Sequence, residues 1–64
     1  MLNTKQETFE FFGELQSETK ACWFIYDGIY TIPIPKSQAS IRMINSVDAA
    51  ITIPMWLARK KGIV

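Results

Sequence analysis

Lys20-Ala21-Cys22-Trp23-Phe24-Ile25-Tyr26-Asp27-Gly28-Ile29-Tyr30-Thr31-Ile32-Pro33 is the stretch that decides the fold. Two runs of aromatic and β-branched residues, which suit a pleated and half-buried surface, meet at Asp27-Gly28. Asp-Gly between such runs is among the strongest short hairpin signals, because a type I′ turn needs two residues with positive φ. The spacing predicts a hairpin over 20–33, with Tyr26 and Tyr30 flanking its tip. Pro33-Ile34-Pro35 comes next. Each proline lacks the N–H that a central strand donates, so this stretch belongs to a sheet edge, a strand end or an extended crossing.

Downstream, Lys36-Ser37-Gln38 reads as a loop or a single turn, Ser40–Ile44 as a strand, and Asn45-Ser46-Val47-Asp48 as a turn. Ala49–Ile53 is the last strand and runs straight into a helix predicted over 54–61. Pro54 suits the first helical position, where a missing N–H is no loss. Arg59, Lys60 and Lys61 crowd the last turn, where the helix dipole favours cations, and Gly62 supplies a left-handed stop. Upstream, residues 1–6 are polar and read as a flexible N-terminus. Residues 7–19 fit two patterns. As a helix, Glu7, Glu10, Glu14 and Glu18 line one face. As a strand, Phe9, Phe11, Gly13 and Leu15 share a face, and Phe12 is the only apolar intruder opposite. Gly13 favours the strand, since it costs about 1 kcal/mol inside a helix but marks a bend or bulge in a strand.

Five short strands and a terminal helix in one domain, 7–64, predict a mainly all-β fold. The expected form is a small, strongly bent five-stranded sheet closed into a barrel, SH3-like first and OB-like second, with a short C-terminal α-helix. Closure would remove the exposed edges that a flat sheet of this size carries.

Composition narrows the function. Of 64 residues, 48% are apolar, with four Phe, two Trp and two Tyr. A chain this short buries only about 60% of its unfolded surface, so part of that apolar area is expected to face a partner. Seven Lys or Arg oppose six Asp or Glu, giving a net charge of +1. That balance fits neither an acidic nucleic-acid mimic nor a strongly basic DNA binder. The acids gather near the start and the bases near the end. The lone Cys22 forms no disulfide framework and reads as a small buried hydrophobe. With no histidine, a zinc site is not expected, and no cofactor is predicted. No apolar run reaches the roughly 18 residues of a membrane span, and no signal peptide is legible, so a cytoplasmic setting is expected.

Catalytic signals are lacking. No histidine serves as a general base, nothing activates Cys22, and the three glycines form no phosphate loop. The chain is therefore not expected to be an enzyme. What remains is a set of contact residues: Tyr26, Tyr30, Lys36, Gln38, Arg42, Arg59, Lys60 and Lys61. A basic groove with aromatic platforms is how small barrels hold single strands, and the same residue types sit at the centres of protein interfaces. In the bland reading the cations complement the helix dipole and the aromatics fill the core. Trp56 in particular is expected to pack on the sheet.

Glu18-Thr19-Lys20-Ala21, Asp27-Gly28, Pro35-Lys36-Ser37-Gln38, Trp56-Leu57-Ala58 and Lys61-Gly62-Ile63 stand in an order that resembles a group of small proteins common in phages and mobile elements. The resemblance spans roughly residues 8–64 and favours the strand reading of 7–19. The chain departs from the group at Pro33, where a tryptophan is usual, and at Met55, where an acidic residue is usual. The resemblance implies a phage or prophage accessory protein. By analogy with anti-CRISPR proteins, its role would be to bind and block a bacterial defence protein in the host cytoplasm. A nucleic-acid binder and a homodimer are the alternatives.

Overall fold

The structure is a computed structural model and describes residues 7–64. The predicted flexible segment 1–6 lies outside the described residues. Five strands form one antiparallel sheet: β1 (Thr8–Glu18), β2 (Cys22–Tyr26), β3 (Thr31–Pro35), β4 (Ser40–Met43) and β5 (Asp48–Pro54). They lie side by side in the order β3-β2-β1-β5-β4. A single 3-10 turn, Lys36–Gln38, links β3 to β4, and the helix α1 (Met55–Lys61) ends the fold. The sheet is not closed, since β3 and β4 remain its two edges.

The long strand β1 organises everything. Its first part pairs with β5 from Thr8↔Pro54 to Glu14↔Asp48, and its last part pairs with β2 from Glu14↔Tyr26 to Glu18↔Trp23. The exchange of partners falls at Gly13-Glu14, and the register slips between Leu15 and Ser17, leaving Gln16 as a bulge. A Cβ on Gly13 would lie 2.5 Å from Ile25 Cγ2 and 2.8 Å from the Tyr26 carbonyl oxygen. Glycine is what lets β2 cross so close, which is one of the uses the residue has inside a strand.

Alternation sorts the side chains by face. Phe9, Phe11 and Leu15 of β1 point inward, and Thr8, Glu10, Phe12 and Glu14 point outward. The inner face carries the core of Phe11, Ile25, Ile32, Ile34, Ala49, Ile51 and Ile53, closed by Leu57 and Ala58 of α1. No polar side chain is buried among the described residues. The helix turns Leu57 and Ala58 inward but leaves Trp56 47% exposed, contrary to the packing expected of it. Pro54 ends β5 and precedes the first helical residue instead of occupying it, with ψ at 147°. At the other end Gly62 adopts φ 76°; its N–H donates to Arg59 O, and the Ile63 N–H donates to Ala58 O at 2.9 Å. That pairing is a Schellman stop.

The predicted hairpin forms, but not through a two-residue turn. Tyr26 pairs with Thr31, so Asp27-Gly28-Ile29-Tyr30 make a longer loop in which only Gly28 has positive φ. The prolines of β3 occupy an edge, as their missing donors require. At the two ends of the β2–β3 ladder, Asp27 N–H donates to Tyr30 O and Lys36 N–H donates to Ala21 O. Backbone groups of alternate residues point the same way along a strand. Residues 32 and 34 therefore face β2, while Pro33 and Pro35 stand where an N–H would face open solvent.

Candidate functional site

Asp27 is the centre of the most distinctive surface. Its Oδ1 accepts the N–H of Tyr30 at 2.7 Å and of Ile29 at 2.8 Å, which locks the loop. Those bonds, from Tyr30 first and Ile29 second, hold the Asp27 carboxyl below its ordinary pKa. The Tyr26 hydroxyl donates to Gly28 O at 2.9 Å and fastens the ring beside the same loop. Held by these bonds, the loop leaves the side chains of Ile29 and Tyr30 in solvent, and Tyr30 is 69% exposed.

Two depressions, each of about 390 Å³, flank this loop, and Asp27 lines both. The first lies between the loop, Pro33 of β3 and the C-terminal Lys61-Gly62-Ile63. Its lining mixes apolar side chains with one anion, Asp27, and one cation, Lys61. The second lies over Phe12, Gly13 and Glu14 of β1, between Tyr26 and Ile44. Glu14 pairs with both Tyr26 and Asp48, so the β2–β3 and β4–β5 loops converge there on the middle of β1. Phe12, 61% exposed on the outward face, is the large apolar group in this second hollow.

The eight residues predicted from sequence do not gather in one place. Tyr30 and Lys61 meet at the first depression and Tyr26 lines the second. Lys36 lies at the opposite end of β3, where its Nζ is 2.9 Å from Glu18 Oε2 and 5.5 Å from the Trp23 ring. Gln38 is exposed beside it on the 3-10 turn. Arg42 stands on β4 with Nη2 3.7 Å from Glu10 Oε2. Arg59 and Lys60 project from α1 and make no salt bridge among the described residues. Cys22 is half-buried on the second strand, more open than the core position expected of it.

Sequence reasoning passed over Phe12 and Ile44 as surface residues. Phe12 carried a signal, as the apolar residue out of phase in an otherwise polar outward row. Ile44 carried none, because its exposure follows from β4 ending at Met43. Geometrically the first depression can hold an apolar or aromatic group, whereas the second sets Phe12 and Ile44 among the carboxylates of Glu14, Asp27 and Asp48 and suits a group that is apolar with a positive end. Among the described residues no cluster of His, Cys, Asp and Glu is arranged to hold a metal ion.

The fold and this surface define a small open antiparallel sheet with a capping helix and an apolar loop end. Compared with protein-family models, curated proteins and solved structures, the chain matches none.

Proposed function

We propose that this chain is a non-enzymatic phage or mobile-element accessory protein that binds a bacterial defence protein in the host cytoplasm and blocks it by occupying its surface. The observation that carries the protein-binding part is the loop end. In a chain with so small a core, Phe12, Ile29, Tyr30 and Ile44 are all turned outward around the rigid Asp27 loop. Exposed apolar groups concentrated in this way mark interaction surfaces. The defence target rests on the resemblance and on size alone. Tyr26, Tyr30 and Lys61 are the predicted contact residues that this surface unites; Lys36 and Arg42 hold ion pairs elsewhere. We read the sheet as SH3-like, because one long strand serves both halves and a short helix closes the end.

Affinity capture from a nuclease-treated bacterial lysate tests the reading. The wild type is expected to retain one stoichiometric protein partner. A Tyr30→Glu, Ile44→Glu double variant is expected to lose it with thermal stability nearly unchanged, since both side chains are exposed. Capture that survives both substitutions overturns the assignment of the surface. Loss of every partner on nuclease treatment moves the function to single-strand nucleic-acid binding, with steep salt dependence as its signature.

A further inference from the structure

The two edges of the sheet are not equivalent. On β3, Pro33 and Pro35 remove two of the three outward donors and leave only that of Thr31, next to the loop, so that edge is a poor template for another strand. On β4 the Ile44 N–H donates to Asp48 O at 2.8 Å, which sets Arg42 and Ser40 facing β5. By the same alternation, the N–H and C=O groups of Ile41 and Met43 point away from the sheet. Among the described residues, no backbone bond from any other segment reaches them. Nor does proline, glycine or a lysine blunt this edge; its sequence is Ser40-Ile41-Arg42-Met43.

We propose that the open edge of β4 docks a second copy of the chain, β4 antiparallel to β4, about a two-fold axis through Ile41. This proposal is independent of the function proposed above, which uses the loop end. Three features of the edge select a second copy. First, the strand is self-complementary in this register. Ile41 meets Ile41 of the second copy, and Met43 meets Ala39, all on the inner, apolar face where Ile41 and Ala39 already pack on the core. On the outer face Arg42 meets Ser40, so no like charges oppose each other. A register one residue on would set Arg42 against Arg42 and is disfavoured. Second, the backbone groups fit. Ile41 exchanges two bonds with its twin, and each Met43 N–H reaches an Ala39 carbonyl, roughly four bonds in all. The Ala39 N–H is already engaged with Lys36 O, so only its carbonyl is needed. Third, one open edge per chain makes an isologous contact that closes at two copies, which is the commonest form of assembly.

Register-specific charges test the proposal. In the dimer a side chain at position 40 faces Arg42 of the other copy, twice per dimer by symmetry. Sedimentation equilibrium should show the wild type passing from monomer to dimer across the micromolar range. Ser40→Glu is expected to tighten the dimer about tenfold and Ser40→Lys to weaken it about tenfold. Within one chain, position 40 lies between Glu10, in its cross-strand row, and Arg42, two residues along the same face, so either charge meets one of each sign and monomer stability is expected to change little. Thermal melting of the dilute monomer therefore separates folding from association. Met43→Pro, which removes only an outward donor, should also weaken the dimer while circular dichroism stays unchanged. A wild type that is monomeric at its highest soluble concentration overturns the proposal. So does a dimer whose affinity moves the same way, or not at all, with both charges.

Discussion

At the scale of single residues, Gly13 decides how closely β2 approaches β1 and Asp27 ties the β2–β3 loop. A methyl group at Gly13 would meet a branched side-chain carbon at 2.5 Å and a backbone oxygen at 2.8 Å. Ile25 is fully buried and branched at Cβ, and the Tyr26 carbonyl belongs to the β1–β2 pairing, so neither gives way readily. Gly13→Ala is therefore expected to destabilise by about 1–3 kcal/mol, the range for overpacking, read as a lower denaturant midpoint with an unchanged slope. Asp27 gives a pH effect. Its folded pKa lies below the unfolded value because the N–H groups of Tyr30 and Ile29 bond the charged form. An acid depressed on folding contributes stability that is fully present above its unfolded pKa, about 3.9, and is lost as pH falls through the folded value. Asp27→Asn keeps a side-chain acceptor but cannot titrate. It should flatten the fall in melting temperature below about pH 4, and an Asp27→Asn acid limb as steep as the wild type's would exclude this origin. Gly13 was legible in sequence as a glycine within a strand, but the bulge expected with it falls at Gln16 and its role is to make room for β2; the role of Asp27 was not legible. Asp-Gly suits both a type I′ turn and a loop tied by an aspartate side chain, and the identity of the pair does not distinguish them.

Among the elements, the three hairpin connections share one device. Thr19 Oγ1 accepts from Ala21 and Cys22, Asp27 Oδ1 from Ile29 and Tyr30, and Asn45 Oδ1 from Val47 and Asp48. Each time a residue at the start of the loop accepts from the N–H groups two and three positions on, which stands in for backbone pairing where the ladder ends. Asn45 adds a further bond from Nδ2 to Asp48 Oδ2 at 2.8 Å. Asn45→Ala is expected to speed amide exchange at Ile44, Val47 and Asp48 while leaving β2 and β3 unchanged, because the β4–β5 hairpin opens separately. Equal acceleration across the sheet would show instead that the loop is coupled to global unfolding. Strand positions were readable because apolar and polar residues alternate in β1 with Phe12 as the one apolar exception, and prolines mark β3. The outward turn of Trp56 was not readable. A helix of seven residues, Met55–Lys61, presents too few apolar positions for periodicity to say which of Trp56 and Leu57 faces the sheet.

For the whole molecule, the question is how an open five-stranded sheet avoids running on into a fibre. Closure into a barrel was the expected answer, since sequence patterning shows strands but not whether the first and last of them meet. Here β3 and β4 stay apart, and the asymmetry of the edges serves instead. A sheet with two open edges can add copies without end, whereas one with a single open edge stops at a pair. Pro33 and Pro35 sit at two of the three positions of β3 where an N–H would point outward, the third being Thr31 beside the loop, and both Ile32 and Ile34 fill the core. Pro33→Thr with Pro35→Thr would restore those donors with a residue that favours strands and adds no large apolar surface. The double variant is expected to fold as the wild type does, by circular dichroism, yet to form species larger than the wild type's in sedimentation as concentration rises. Pairing through β3 as well as β4 would then propagate. If the variant keeps the wild-type assembly state at every concentration, the prolines are not what guards this edge, and some other feature limits association.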